Sequence, residues 1–234
     1  MITTKKEALE QPRKAKQFSD ELQADKEVIL AAVTEYGDAL EWASEELKND
    51  YDIVLAAVRQ DAIALRFASK QLQNDSDVVM TAVTKNGNTL FYANKEQKNI
   101  FNIVLEAVKQ DGWALKFASE NLKDDFDIVL AAVAQTGHAL RFASKELRTN
   151  YDIVLAAVTQ DGLALQLASE NLQDNYSLVI TALANNFFIY SHISNRLKNS
   201  SEVAQFALKC AENEDTREWL FEEIPENIKK QLIL

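Results

Sequence analysis

Hydrophobic residues recur along this chain with a period of 25 residues. One aliphatic position of the period is occupied by Val28, Ile53, Val78, Ile103, Ile128, Ile153, Leu178 and Val203. A second position holds leucine, at Leu40, Leu65, Leu90, Leu115, Leu140 and Leu165. A strict period without insertions is typical of tandem repeats whose copies pack against each other.

The pattern predicts two short helices in each copy, as the unit from Phe126 to Asn150 shows. Its first half, near Asp127 to Gln135, and its second half, near His138 to Arg148, both place apolar residues on one side at helical spacing. A glycine between the halves is expected to end the first helix in a left-handed conformation. The glycines are Gly37, Gly87, Gly112, Gly137 and Gly162. The repeated serine, such as Ser144, is expected to be a small packing residue.

Polar residues between copies are expected to cap the next helix, because their side chains accept hydrogen bonds from free helical N–H groups. Examples are Asp50, Asp75, Asp125 and Asn150. Each helix spans only about ten residues, which is too short for stability alone in water. The sequence therefore predicts an all-α protein, an α-solenoid formed as a superhelical stack of 25-residue two-helix repeats.

The strength of the pattern suggests three segments. Residues 1–24 are predicted to form an N-terminal capping segment and a degenerate half-repeat. Residues 25–199 contain seven tandem helical hairpins, and residues 200–234 contain a degenerate last repeat and a C-terminal helical cap. The cap is expected to include Trp219, Leu220, Phe221, Ile228, Leu232, Ile233 and Leu234.

Composition agrees with a helical protein and narrows its partners. Only five glycines and two prolines interrupt 234 residues, and the formal net charge is −11. An acidic chain without a repeated basic stripe is not expected to bind nucleic acid or an anionic membrane surface. The N-terminus lacks the apolar core of a signal peptide. We therefore expect a cytoplasmic protein, or one exported into a host cell by a specialised secretion system.

The repeat motif resembles the family called domain of unknown function 4116. An acidic residue precedes IVLAAV, and G-x-AL-x-x-AS follows, as in Asp127–Ser144 and Asp152–Ser169. The resemblance extends from about Phe18 to about Lys209. Similar repeats occur in protists and in intracellular bacteria, where some are candidate effectors. The resemblance thus implies a bacterial effector that binds a host protein, and it carries over no catalytic residue and no cofactor.

Three departures from this motif are expected to make the stack less regular. Ala62 replaces the turn glycine, Gln97 replaces a leucine, and the unit after Tyr176 is eroded.

The variable positions of the second helix suggest a binding surface. Apolar residues in the position after the turn glycine, among them Ile63 and Trp113, are predicted to form an exposed ridge. The alternative is that they pack locally over the turn. The candidate partner-binding residues are Ile63, Trp113, His138, Leu163, Phe188, Phe91, Arg66, Lys116 and Arg141.

A second candidate surface is a ladder of acids on the first helices. It comprises Glu27, Asp52, Asp77, Asn102, Asp127, Asp152 and Glu202. Such a ladder could hold a basic peptide. The alternative is that acids in a first turn offset the helix macrodipole.

The residues suggest no metal, cofactor or catalytic site. The two histidines are His138 and His192, and the single cysteine, Cys210, is expected to be a small buried residue. The leading hypothesis is a non-catalytic protein–protein interaction scaffold. The alternatives are a structural spacer without a specific ligand, and an enzyme with a site near His192, Cys210, Asp215 and Trp219.

Overall fold

A computed structural model describes residues 1–232 of the protein. It is 77% helical, and within the described residues the only β-type pairing is an isolated bridge between Ile2 and Phe18. The chain divides into two compact units, Met1–Ser119 and a second one that begins at Glu120. Together these features confirm an all-α repeat solenoid.

Each copy of the repeat begins with a ten-residue α-helix. In the first unit these helices are Lys26–Glu35, Tyr51–Gln60, Ser76–Lys85 and Phe101–Gln110. In the second unit they are Phe126–Gln135, Tyr151–Gln160, Tyr176–Asn185 and Ser201–Cys210. We call them the repeat helices.

A six-residue 3₁₀ helix follows each repeat helix except the last. These segments are Gly37–Trp42, Ala62–Phe67, Gly87–Tyr92, Gly112–Phe117, Gly137–Phe142, Gly162–Leu167 and Phe187–His192. A short third turn completes each copy, as Leu47–Asn49, Leu72–Asn74, Gln97–Asn99, Glu120–Lys123, Leu147–Thr149, Glu170–Gln173 and Asn195–Lys198.

The second half of the repeat thus differs from the single helix predicted near His138 to Arg148. The chain leaves the helix at Ala143, which is extended with φ −65° and ψ 154°. The next N–H, that of Ser144, donates to the carbonyl of Lys123 in the preceding copy at 2.9 Å. A hydrogen bond between copies therefore replaces one that would have continued the helix.

The repeated serine is a hydrogen-bonding residue rather than the small packing residue expected. The Ser144 hydroxyl accepts from the Leu147 N–H at 3.1 Å and donates to the Asp124 carboxylate of the preceding copy. Ser119 makes the equivalent bond to Asn99 at 2.6 Å. The serine therefore both closes the local turn and sets the register between adjacent copies.

The turn glycine also has a different role from the one predicted. No glycine among residues 1–232 has a positive φ, so the left-handed C-cap expected at this position is wrong. A Cβ on Gly37 would lie 2.6 Å from the carbonyl oxygen of Ala57 in the next repeat helix. Glycine fits at this position because the next copy approaches the backbone closely, although Ala62 and Phe187 occupy it in two other copies. The Gly37 N–H is bound at 2.7 Å by the Gln60 side chain of that copy.

The predicted helix caps are confirmed. Asp50 accepts from the Ile53 N–H at 3.1 Å, and Asp125 and Asn150 make the equivalent bonds. Ile100 occupies the same position before Phe101–Gln110, and that helix has no side-chain cap. One repeat helix of the first unit therefore lacks the usual stabilisation of its N-terminus.

The core consists of the repeated apolar positions. The repeat helix Tyr51–Gln60 buries Ile53, Val54, Ala57 and Val58, and the other copies bury the equivalent residues except Leu208 of the last helix, which is half-buried. The repeated leucine of the 3₁₀ segment is buried as well, as at Leu65. A helix that buries residues on this many sides gains its stability from the copies beside it.

Other helices lie at the two ends. The N-terminal ones are Lys5–Glu10, Pro12–Gln17 and Asp20–Gln23, and the C-terminal ones are Glu214–Glu223 and Glu226–Leu232. Leu220 and Ile228 are buried, whereas Ile233 and Leu234 of the predicted cap lie outside the described residues. Within residues 1–232 no helix has the length and hydropathy required to cross a membrane.

Candidate interaction surface

The predicted binding residues are all accessible, but to different degrees. The exposed residues are Arg66, Phe91, Trp113, Lys116, Arg141 and Phe188. Those that are half-buried are Ile63, His138 and Leu163. Five of the nine belong to the first unit (Ile63, Arg66, Phe91, Trp113 and Lys116) and the other four to the second.

Aromatic rings gather around Phe91 in the first unit. The Phe91 ring centroid lies 5.1 Å from that of Tyr92 and 5.3 Å from that of Phe117, both in edge-on geometry. These rings and Ile63 line a cavity of about 240 Å³, whose polar wall consists of Asn86, Asn88 and Thr89. We call this feature the aromatic recess.

The neighbouring copies show why Phe91 is unusual. Arg66 and Lys116 occupy the equivalent positions, and each cation lies over the aromatic ring that follows it in sequence. The Arg66 guanidinium is 4.3 Å from the Phe67 centroid. At Phe91 an apolar ring replaces this charged cover, and 54% of the residue is exposed. Tyr92 therefore has the Phe91 ring beside it where Phe67 and Phe117 have the cation of the preceding residue.

Lys98 binds the backbone of Phe91, one of the residues that line the recess. Its ammonium donates to the Phe91 carbonyl at 2.8 Å and lies 5.7 Å from the Phe91 ring centroid. Burial, and secondly the charge of Lys70, lowers the pKa of Lys98. The bond supplies a partner for a carbonyl at the end of a 3₁₀ helix, where no helical N–H reaches it.

The same copy of the repeat also carries polar residues inside. Thr89 replaces the usual alanine and donates to the Asn86 carbonyl at 2.7 Å. Gln97 replaces the usual leucine and donates to the Asn74 carbonyl at 2.7 Å. Both residues are buried, and these hydrogen bonds offset the cost of burying them. Gln97 thus alters the interior of this copy without interrupting its stacking.

Trp113 is exposed but does not line the recess. The residue is 40% exposed, and its backbone N–H donates to the Asp111 carboxylate at 2.9 Å. The same carboxylate binds the Asn88 side chain at the edge of the recess.

Sequence reasoning identified Ile63 and Phe91 but missed Tyr92 and Phe117, although an aromatic residue recurs at their repeat position.

The second unit places its candidates differently. Phe188 is 48% exposed, but its ring lies 5.1 Å from that of Trp219 on the C-terminal helix Glu214–Glu223. Asp161 contacts two of the other three candidates, because its carboxylate lies 2.7 Å from His138 Nδ1 and accepts from the Leu163 backbone N–H at 2.9 Å. The local packing that was the alternative to an exposed ridge is thus seen in the contacts of Phe188 with Trp219, and of His138 and Leu163 with Asp161.

The acidic ladder is exposed as predicted, and two of its members bind lysines of the chain itself. Lys26 lies 2.7 Å from Asp50 and 3.4 Å from Asp52. The hydrogen bond to Asp50 raises the pKa of Lys26. Each carboxylate pair combines the N-cap residue of a repeat helix with the residue two positions later.

Sequence reasoning missed a set of exposed aromatic residues that precede these acids in sequence. The first residue of five repeat helices is aromatic and between 38% and 41% exposed, namely Tyr51, Phe101, Phe126, Tyr151 and Tyr176. A hydrogen bond to Glu202 of the next copy raises the pKa of Tyr176. The fixed register of these aromatics in the sequence was a detectable signal.

Cys210 is one of the residues considered for an enzymatic site near the C-terminal end. Cys210 is half-buried, rather than buried as expected, and lines a cavity of about 340 Å³ with Phe187, Phe188 and Thr216. His192 is not among the lining residues. Burial raises the pKa of Cys210, which disfavours the reactive thiolate. The part of the chain that the structure describes contains no cluster of three potential metal ligands.

Comparison with known families gives a clear match. The model of the family described as "Domain of unknown function (DUF4116)" matches residues 6–48, 25–73, 50–98, 101–148 and 150–198. The full-length matches each span two copies of the 25-residue repeat. No significant similarity to curated proteins was found, and none to solved structures.

Proposed function

The chain belongs to the DUF4116 family, and we propose that it is a non-catalytic scaffold that binds another protein through the aromatic recess. The observation that carries this proposal is Phe91, an exposed ring at a position where the neighbouring copies have a cation. An apolar ring exposed beside further apolar surface is stabilised when a partner covers it.

The size of the recess favours a protein side chain over a small molecule. Its volume of about 240 Å³ is below the range of roughly 300–1,000 Å³ in which proteins usually bind small ligands. A recess of this size accommodates one or two apolar side chains of a partner. The protein would thus recognise a segment of a partner rather than a metabolite.

The rim of the recess indicates what surrounds that apolar side chain. Asn86 and Asn88 present amide groups on one wall, while Arg66 and Lys116 occupy the Phe91 position in the adjacent copies. Amide and cationic donors pair with carbonyl and carboxylate oxygens. We therefore expect a partner segment with an apolar anchor next to backbone carbonyls or acidic residues.

A Phe91→Lys variant tests this proposal, because it gives the recess the residue type that the adjacent copies already have. Tagged wild-type and variant protein would be used to capture partners from a lysate, and the affinity of an identified partner would then be measured by calorimetry. We expect the variant to lower affinity at least about tenfold, since a central apolar anchor is worth about 1.4 kcal/mol or more.

The matched control is Glu41→Lys, which introduces the same side chain at the same repeat position in another copy. It should leave affinity unchanged. If Phe91→Lys binds every captured protein as well as the wild type, the recess is not the binding site. If the wild type captures no protein specifically, that result favours the alternative that the chain is a structural spacer without a specific ligand.

The effector hypothesis adds that the partner is a host protein. A translocation reporter fused to the chain, expressed in a bacterium with and without its secretion system, tests this step separately. The remaining candidates Trp113, His138, Arg141, Leu163 and Phe188 stay predictions. Single alanine variants of each, measured against the same partner, would show whether the contact extends beyond the recess.

A further inference from the structure

Two acidic pairs at the starts of repeat helices bind ammonium groups of the chain itself. Lys26 places its Nζ 2.7 Å from Asp50 Oδ2 and 3.4 Å from Asp52 Oδ2. The other oxygen of Asp50 accepts from the Ile53 N–H. One carboxylate oxygen thus caps the helix, while the second faces the cation.

The preceding copy repeats this arrangement with a different lysine. Lys5 Nζ lies 3.0 Å from Asp25 Oδ2 and 2.7 Å from Glu27 Oε2. The hydrogen bond to Lys5 is the main cause that lowers the pKa of Asp25. Two lysines that come from different elements therefore bind the same kind of carboxylate pair.

The third copy has the carboxylate pair but no cation. Asp75 Oδ1 accepts from the N–H groups of Asp77 and Val78, both at 3.0 Å, so this oxygen caps the helix as Asp50 Oδ1 does. Among residues 1–232, no lysine, arginine or histidine forms an ion pair with Asp75 or Asp77. The position that holds Lys26 before the preceding pair holds Tyr51 before this one.

We propose that Asp75 and Asp77 bind a lysine or arginine side chain of a partner protein, with Tyr51 as the aromatic wall of the site. Tyr51 is 41% exposed, and an aromatic face next to two carboxylates attracts a cation. At the equivalent position, Glu202 of the next copy raises the pKa of Tyr176, in keeping with an aromatic residue placed near the following acid. The net charge of −11 favours the approach of a basic segment.

This proposal uses none of the residues of the aromatic recess and does not rest on it. A blocked tetralysine peptide serves as the probe, and ¹⁵N-labelled full-length protein reports binding through its amide shifts at low ionic strength. The amides of Asp77 and Val78 report locally, because both donate to Asp75. We expect saturable shifts at these two amides.

The Asp75→Asn/Asp77→Asn double variant removes both charges and keeps the helix cap, since asparagine caps as well as aspartate. Asn150 already caps a repeat helix in this chain. We expect the dissociation constant read at the two amides to rise about threefold to tenfold, as the loss of two exposed ion pairs predicts. Unchanged binding at these amides would overturn the proposal.

Lys26 provides the matched control. In the wild type, the amides of Asp52 and Ile53 should respond less than those of Asp77 and Val78, because Lys26 occupies their carboxylates. In Lys26→Ala the Asp52 and Ile53 amides should show new saturable shifts. Equal responses at the two places in the wild type would indicate general electrostatic attraction and refute the site. A Phe91→Lys variant should leave the tetralysine shifts intact, which separates this proposal from that for the recess.

Discussion

Exposed aromatic rings occur in both units, but their surroundings differ. In the second unit Trp219 of the helix Glu214–Glu223 lies against Phe187 and Phe188. In the first unit Phe91 meets Tyr92 and Phe117 in edge-on contacts, and the cavity beside them is open. The chain supplies a cover for the cluster of the second unit, whereas the cluster of the first unit stays open to solvent. Exposure of a ring therefore indicates a binding site only where the chain has not provided its own cover.

The core residue Leu115 sets the scale for this comparison. Leu115→Ala should lower the free energy of unfolding by ~2–5 kcal/mol, because the leucine is fully buried and leaves a cavity. Urea denaturation followed by circular dichroism would measure it. Leu140→Ala in the second unit should behave in the same way. A cost below ~1 kcal/mol for both would contradict the stacked core.

Trp219→Ala removes the cover from the aromatic cluster of the second unit. We expect the free energy of unfolding to fall by about 1–3 kcal/mol, since a half-buried ring and its aromatic contacts are lost. The same denaturation experiment measures this change. If Trp219→Ala is no more destabilising than a surface substitution, the two clusters do not differ in the way described.

Ile100→Asp should stabilise the protein by about 1 kcal/mol, because it supplies the missing cap of the helix Phe101–Gln110. The reverse change, Asp75→Ala, should cost a similar amount. Ile100 is 36% exposed, so its replacement loses less buried surface than that of a core residue. A gain would show that this exposed apolar residue, like Phe91, is not required by the fold. Thermal melts of both variants would decide the matter.

Phe91→Ala should have the smallest effect, a loss of less than about 1 kcal/mol of folding stability. The ring is more than half exposed, so its removal uncovers little new surface. Trp113→Ala should be similarly mild. A melt in which Phe91→Ala is as damaging as Trp219→Ala would show that the recess serves the fold and would remove the contrast between the clusters.

The period, the buried positions and the caps could be predicted from the sequence because each depends on residues close together in the chain. Asp50 caps a helix that begins at the next residue, so its role is local. The glycine was assigned a wrong role because its constraint comes from Ala57, a residue of the next copy. The end of the helix at Ala143 likewise depends on a carbonyl 21 residues before Ser144.

The candidate sites needed the structure for the same reason. Phe91 and Phe117 differ by about one period and meet only because successive copies stack. The pairing of Lys26 with Asp50 also joins two copies. Pattern reasoning identified the variable positions, but it could not tell which variable residues already contact one another.

The hydrogen bond from each repeated serine to the preceding copy has a consequence for how such a chain can change in length. Because Ser69 binds the carbonyl of Lys48 and Ser44 that of Gln23, the loss of one residue inside a copy would misalign every donor and acceptor between neighbours. Removing residues 51–75 as a block would instead join one cap, Asp50, to the helix that begins at Ser76. The protein can thus be shortened or extended in whole copies, with the contacts between neighbours re-formed at the new junction.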